Sequence, residues 1–291
     1  MRAILLLALI LLSACQTARV SPIEPATSSS KERAGMIRDL RNGQSLTADE
    51  LVARLAKAPR VIVGEQHDNP DHHRLQLKLL QALSERRGQG SLLLEMLTPD
   101  QQPSVDQVRI QQKITGWPDD LPEALAWQSG WDWKLYGPIV RFTLAQPYPL
   151  LAANLDSAEI RKIYTQAPAL SGARSNSDSV RLELLEQIRE SHCDLLPESQ
   201  MPAMLAVQQQ RDRRMAERLL AAPAPSLLFV GAYHARKDVG VPVHLLDLGA
   251  ADGTLVLMLA EQGAEVAPEV ADYVWYTAAR PEQDYCAEMR K

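Results

Sequence analysis

Five short runs of apolar residues constrain the fold of this 291-residue chain more than any other feature. They read RVIVG, SLLLEML, YPLLAANL, SLLFVG and TLVLMLA, and they begin at residues 60, 91, 148, 226 and 254. Strands without alternation of apolar and polar residues are typical of a sheet covered on both faces, and longer stretches of helical pattern separate the runs. The sequence therefore predicts an α/β fold with a mainly parallel β-sheet flanked by helices.

Capping signals and apolar periodicity predict where helices lie. Thr47 and Glu50 form a capping box before the first apolar run, and Asn69 begins a helix directly after that run. Helix-rich stretches occur at 101–145 and 160–220. We expect these stretches to form lids or an additional helical lobe.

The N-terminus is typical of an exported protein, because one Arg precedes an aliphatic run that is too short to span a membrane. The sequence LSAC resembles the bacterial lipobox, which makes Cys15 the expected lipidation site and residues 1–14 a lipoprotein signal peptide. The alternative is an ordinary signal peptide that contains a cysteine. By analogy, Gln16 favours sorting to the outer membrane of a Gram-negative bacterium. Residues 15–35 are predicted to be a flexible tether, and residues 36–291 the folded domain.

Composition excludes some classes of partner and leaves one pair of cysteines to explain. The net charge is −5, the pI is about 5.7, and no Lys/Arg block occurs, which argues against nucleic acid as a partner. After export, Cys193 and Cys286 remain as an even pair. In an oxidising compartment such a pair favours one disulfide, and the alternative is two buried thiols.

Polar residues follow four of the predicted strands. Parallel strands share one carboxyl edge, where open α/β folds bind ligands, so we expect these residues to meet in one cleft. The residues are Glu65 and His67 after Gly64, Glu95, Asn154, and Tyr233 and His234 after Gly231.

Two helices carry further polar residues on apolar faces. Helical spacing places His72 and Gln76 on the buried stripe of the helix that begins at Asn69, with His73 on its flank. In the stretch 201–220, Gln208 and Asp212 share a stripe with Met201, Met204 and Met215. Buried polar groups need partners, so they either complete the core or line a site.

At these residues the chain resembles a known family. The stretches GEQHDNPDHHRLQ, LLLEM, WDWKLYGP, LLAANL, RDRRMAERL and GAYHARKDVGVPVHL are similar to ChaN-type haem-binding lipoproteins of the Tiki/TraB superfamily. The resemblance implies one α/β domain with a helical lobe, and haem binding in iron acquisition. It also implies, as in some members, stacked haem pairs between two subunits, and hence a homodimer on haem binding.

The superfamily resemblance has a second implication, which is hydrolysis. In the Tiki-like and erythromycin-esterase-like branches, two Gly-x-x-His motifs and a glutamate serve this reaction, with a divalent metal ion in the Tiki case. Carried over to this chain, the catalytic residues are His67, Glu95 and His234. The expected metal ligands are the same three residues together with Glu65. The spacing lacks a dense local metal motif, and no nucleophilic serine or cysteine stands out.

A haem site needs an apolar slot, an axial ligand and groups that meet the propionates. Trp131, Trp133 and the methionines are candidates for the walls, and no Cys-x-x-Cys-His motif is present, so the haem is expected to be non-covalent. The candidates for the axial ligand of the iron are His72, His73, Tyr136 and Tyr233. Arg211 and Arg236 are the candidates for contact with the propionates, and Gln76 is a further expected haem contact.

We therefore expect a lipid-anchored haem-binding protein in haem or iron uptake, with a haem-uptake receptor as a further partner. The alternative is a metal-dependent hydrolase.

Overall fold

The computed structural model describes residues 34–281 and 283–290. The predicted signal peptide, Cys15 and the tether up to residue 33 lie outside the described residues. No helix within the described ranges is long and apolar enough to cross a membrane.

One eight-stranded sheet organises the described part of the chain, in the order β2-β1-β8-β7-β3-β6-β4-β5. Strands β8, β7, β3, β6, β4 and β5 pair in parallel, whereas β1 pairs antiparallel with β2 and with β8. This confirms the predicted mainly parallel sheet. The strands are β1 (Ile37–Asp39), β2 (Gln44–Leu46), β3 (Arg60–Glu65), β4 (Ser91–Leu94), β5 (Leu150–Ala152), β6 (Ser226–Gly231), β7 (Thr254–Glu261) and β8 (Tyr273–Thr277).

The central strands are apolar throughout because both of their faces are covered. In β3, Val61 and Val63 face one core cluster and Ile62 faces the other, and all three are fully buried. Strands β1, β2 and β8 were not predicted from the sequence. They form the antiparallel edge, which Ile37 of β1 and Tyr273 of β8 join to the main core.

Helices flank the sheet, and their predicted starts are confirmed. Thr47 and Glu50 form the capping box of α1, and the Asn69 side chain accepts from the Asp71 and His72 N–H groups at the start of α2. The helices are α1 (Ala48–Leu55), α2 (Pro70–Arg86), α3 (Gln102–Ile114), α4 (Leu121–Ala124), α5 (Trp133–Leu144), α6 (Ser157–Gln166), α7 (Asp178–Ser191), α8 (Met201–Ala221), α9 (Ala232–Ala235), α10 (Val241–Asp247) and α11 (Tyr285–Met289).

The two helix-rich stretches have different relations to the sheet. Helices α3 and α5 of the first stretch pack into the same core as α2, through residues such as Val105 and Ile139. In the second stretch, α7 and α8 share a separate small core with α10, which includes Leu184, Leu205 and Val243. The second stretch is thus the additional helical lobe.

A disulfide joins Cys193, just after α7, to Cys286 in α11, with 5.5 Å between the two Cα atoms. It brings the end of the chain against the helical lobe.

Gly64 is required where α9 crosses β3. A Cβ atom at this position would lie 2.6 Å from Ala235 Cβ and 2.8 Å from Met258 Sδ. We expect Gly64→Ala to lower the free energy of unfolding by about 1–3 kcal/mol, because the neighbours are tightly packed. Urea denaturation measures this change.

The matched control is Gly88→Ala, where a Cβ atom would meet nothing within 4 Å. Its free energy of unfolding should change by less than about 0.5 kcal/mol. Equal destabilisation by both substitutions would contradict the close approach of α9 to β3.

Candidate functional site

The carboxyl ends of neighbouring parallel strands bring the predicted polar residues together. Glu65 of β3 pairs in register with Gly231 of β6. The Gly231 N–H donates to Glu95 Oε2 at 2.7 Å, and the Asn154 side chain donates to the Glu95 carbonyl at 3.0 Å. The ends of four strands therefore meet at one edge of the sheet.

The first group of this site centres on the buried Glu65 carboxylate. His67 Nδ1 donates to Glu65 Oε1 at 2.7 Å, and the Tyr136 hydroxyl donates to the same oxygen at 3.0 Å. The His67 side chain remains 42% exposed. Glu65 therefore fixes the orientation of a half-exposed imidazole.

The second group is a buried imidazole between two carboxylates. His234 Nδ1 lies 2.7 Å from Asp212 Oδ1, and His234 Nε2 lies 3.4 Å from Glu95 Oε1. Gln208 adds a side-chain contact of 3.3 Å to His234 Nδ1. Both ring nitrogens face carboxylate oxygens, which favours the charged imidazolium.

Gly231 joins the two groups. A Cβ atom on Gly231 would lie 2.7 Å from His67 Nε2 and 3.6 Å from Glu95 Oε2. The His67 ring can approach the strand end only because residue 231 has no side chain.

The electrostatics follow from this packing. Burial alone would lower the pKa of His234, but the charges of Glu95 and Asp212 outweigh it and raise that pKa well above its ordinary value. Burial would raise the pKa of Glu95, but the His234 charge lowers it to about 2. For His67, burial is outweighed by the hydrogen bond to Glu65 and the charge of Glu95, so its pKa is also raised.

The predicted polar residues of α2 lie behind this site. His72 is fully buried, its Nδ1 accepts from the Gln66 N–H, and its Nε2 lies 3.2 Å from Thr277 Oγ1. Burial lowers the pKa of His72 to about 4, which keeps the ring neutral.

His73 is also buried and holds the loop that carries His67. Its Nε2 donates to the His67 carbonyl at 2.9 Å, and its Nδ1 lies 3.1 Å from Oε1 of the fully buried Gln76. The structure therefore places His72, His73 and Gln76 beside the predicted site, with their side chains inside the protein.

In front of the two groups lies a cleft of about 1310 Å³. Tyr233 lines it with 43% of its surface exposed, and Trp131 packs edge-on against His67 with ring centroids 4.9 Å apart. Arg211 also lines the cleft, and its buried Nε atom has no hydrogen-bond partner in the described structure. The remaining lining includes Gln66, Asp68, Gln187, Glu190, Glu261 and Arg280.

Other predicted residues lie elsewhere. Trp133 packs against Gly137 and Trp127, and Arg236 forms ion pairs with Glu183 and Asp238. Met201 and Met215 belong to core clusters.

Sequence reasoning missed one part of the cleft, which is the wall formed by residues that follow β8. Arg280, Asp284 and Tyr285 line the cleft beside Cys286. The predicted disulfide was the only sequence signal that this segment returns to the helical lobe.

Comparison with known proteins identifies the family. A model of haem-binding uptake proteins of the Tiki superfamily, described as ChaN, matches residues 51–245, which is more than half of the chain. The chain belongs to this family. No curated protein gives a significant match.

A solved structure supports the assignment. It is described as cofacial heme binding to ChaN of Campylobacter jejuni, and it is 30% identical, with a TM-score of 0.75. The match covers 82% of this chain and 95% of that chain.

Weaker likenesses extend to two further proteins. A mutant of the erythromycin esterase EreC, in its open conformation, is 13% identical over 75% of this chain and 74% of its own, with a TM-score of 0.45. RRSP, a MARTX toxin effector domain from Vibrio vulnificus, is 13% identical over 76% of this chain and 36% of its own, with a TM-score of 0.43. At this level they say nothing of what the chain does.

The expected metal ligands are engaged with one another or with neighbouring side chains in this arrangement. Within residues 34–281 and 283–290, no group of three or more His, Cys, Asp or Glu side chains is placed to hold a metal ion. Both nitrogens of His234 face carboxylates, and Nδ1 of His67 is bonded to Glu65. Metal binding requires a neutral imidazole nitrogen with an available lone pair. Glu65, His67, Glu95 and His234 instead form hydrogen-bonded ion pairs.

The ion pair of His234 and Asp212 should be visible in the pH dependence of stability. We expect Asp212→Asn to lower the free energy of unfolding by about 1–3 kcal/mol near pH 6. A histidine whose pKa is raised in the folded state contributes its full stabilisation at pH values below its unfolded-state pKa. This stabilisation is lost as the pH rises through its folded-state pKa. The difference between wild type and variant should therefore shrink towards about pH 9.5, as urea denaturation at both pH values will show.

Asp252→Asn, at an exposed position, is the control and should leave stability unchanged at both pH values. If Asp212→Asn changed the free energy of unfolding by the same amount at both pH values, the charge of His234 would not depend on Asp212.

Proposed function

We propose that this protein binds one haem per chain in the cleft at the carboxyl edge of the sheet and takes part in haem or iron uptake. The observation that carries the proposal is a cleft of about 1310 Å³ lined both by the exposed Tyr233 and by Arg211, whose Nε has no hydrogen-bond partner among the described residues. Typical small-molecule sites measure roughly 300–1,000 Å³, so this cleft has room for a porphyrin. Membership of the haem-binding uptake family supports the same ligand.

Accessibility favours Tyr233 as the axial ligand among the four candidates. His72 and His73 are buried and hydrogen-bonded inside the protein. Tyr136 is 1% exposed and donates to Glu65, and burial together with that carboxylate raises its pKa. Of the four, only the Tyr233 side chain reaches the cleft with a substantial exposed surface. Haem carries the iron chemistry, and the chain supplies the ligand, the walls and the charges around it.

Arg211 is suited to meet a haem carboxylate. Its guanidinium lines the cleft, and an Arg pairs with a carboxylate through charge-assisted hydrogen bonds. The other cation of the cleft, Arg280, is already paired with Asp68 and Glu261, so Arg211 is the better placed to meet a carboxylate ligand. Trp131 provides an apolar surface for the ring.

The hydrolase alternative is not favoured. A general base must be able to accept a proton, but the paired carboxylates keep His234 protonated and its pKa raised. Among the described residues, no group of three or more potential ligands supports a metal-assisted version of the reaction.

Tyr233→Phe tests the ligand. We expect the substitution to weaken haemin affinity by at least about tenfold and to remove the absorption typical of phenolate-bound ferric haem, because an iron–oxygen bond is lost. Absorption titration with haemin measures both.

The control is Tyr164→Phe on α6, a residue that is 36% exposed and does not line the cleft. It should titrate as wild type does. Failure of the wild-type chain to shift the haemin spectrum at micromolar concentration would refute haem binding itself. Sedimentation of the same samples tests the further proposal that haem brings two copies together, which the cofacial binding by ChaN of Campylobacter jejuni suggests.

We also propose that Cys15 carries a lipid and that the domain is anchored at the outer membrane, within reach of a haem-uptake receptor. The lipobox-like LSAC and Gln16 support this. Cys15→Ala should abolish incorporation of labelled fatty acid and release the protein from the membrane fraction, because the anchor is lost. Gln16→Asp should keep the label and move the protein to the inner membrane. An unlabelled wild-type chain would contradict the anchor.

A further inference from the structure

The helical lobe contributes one wall of the cleft, which we call the lobe wall. It includes Gln187 of α7 and Arg211 of α8, and both residues line the cleft. The two helices share the small core of the lobe. The backbone positions of both residues are therefore fixed by packing within the lobe.

Each of these side chains has a buried polar atom without a hydrogen-bond partner in the described structure. The atoms are Nε of Arg211, which is a donor, and Oε1 of Gln187, which is an acceptor. A ligand in the cleft can therefore form a hydrogen bond at these atoms without displacing one that the protein already makes. Because the two residues belong to different helices, the lobe wall offers polar contacts from two directions.

Elsewhere in the cleft, charged groups are bonded to one another. Arg280 donates to Asp68 Oδ1 at 2.9 Å and to Glu261 Oε1 at 2.8 Å. At the base, the Glu65 carboxylate accepts from His67 at 2.7 Å. A ligand carboxylate that approached Arg280 would have to compete with two carboxylates of the protein.

The lobe wall also contains one acidic side chain to weigh against this cation. Glu190 of α7 lines the cleft and is exposed, whereas Arg211 is partly buried. Water and salt screen an exposed charge more than a partly buried one. The attraction of Arg211 for a carboxylate therefore outweighs the repulsion by Glu190.

We propose that Arg211 and Gln187 form a carboxylate-recognition subsite, which makes the cleft selective for porphyrins with a free carboxylate. Arg211 donates charge-assisted hydrogen bonds to the carboxylate. Rotation of the Gln187 amide brings its NH2 group to the position of Oε1, so this side chain can donate as well. The propionate edge of the ring then faces α7 and α8, and the apolar part lies towards Trp131. This inference rests on the proposed haem function for the identity of the ring.

The experiment compares metal-free protoporphyrin with its dimethyl ester, because these probes differ in charge and need no iron ligand. Quenching of the tryptophan fluorescence of the full-length chain in non-ionic detergent measures both dissociation constants. We expect the diester to bind at least about tenfold more weakly than the free acid, since its carboxylates are blocked. Haemin and its dimethyl ester, followed by absorption, should show the same preference.

Three substitutions test the two residues. Arg211→Met should reduce the preference for the free acid to less than about threefold, and Arg211→Lys should retain part of it because the charge remains. Gln187→Leu should reduce the preference in part. The matched control is Arg213→Met, on the same helix but outside the cleft lining, which should keep the wild-type preference. A ratio of two affinities does not move when a substitution only loosens the fold.

The outcomes separate this inference from the proposed function. Equal affinity of the wild-type chain for acid and diester would overturn the subsite and leave haem binding standing. An unchanged preference in Arg211→Met would overturn the assignment to the lobe wall. If the metal-free acid bound with the expected preference but haemin did not bind, the subsite would stand and the haem function would fail. If no porphyrin bound, both would be overturned. If Arg211→Met did not fold, Arg211→Lys and Gln187→Leu would decide.

Discussion

The parallel register between β3 and β6 is the constraint on which the site depends. It places Glu65 opposite Gly231, and the neighbouring β4 delivers Glu95 to the Gly231 N–H. Because the central strands are buried on both faces, a charged side chain can be accommodated only where a strand ends. The same burial that makes the strands apolar therefore concentrates the polar residues of the sheet at one edge.

Burial also decides what the polar residues at that edge can do. Taking His234, Asp212 and Glu95 out of water is costly, and the cost is offset only because each charge faces an opposite one. An imidazolium fixed in this way positions its neighbours, and because its pKa is raised well above the ordinary value it stays charged near neutral pH. The half-exposed His67 and the exposed Tyr233 lie on the cleft side, where a ligand can reach them. The buried groups thus form a rigid base under a small set of accessible ones.

The sequence predicts the central strands well because their signal is local. Val61 to Val63 form a continuous apolar run, and Asn69 caps a helix with its own side chain. Strands β1 and β2 have only three residues each, too few for a pattern, and their pairing depends on distant β8. Periodicity correctly buries His72, but its partner Thr277 lies 205 positions away, so the sequence alone does not separate a structural histidine from a ligand.

The walls of the cleft differ in how they are held. The inner wall consists of strand ends inside a continuous sheet, so moving it would break buried hydrogen bonds and ion pairs. The outer wall is held by side chains instead. Arg280 donates to Asp68 and Glu261, and a disulfide joins Cys286 to Cys193. Backbone pairing in the sheet therefore fixes the inner wall, and ion pairs and one covalent bond between distant positions fix the outer wall.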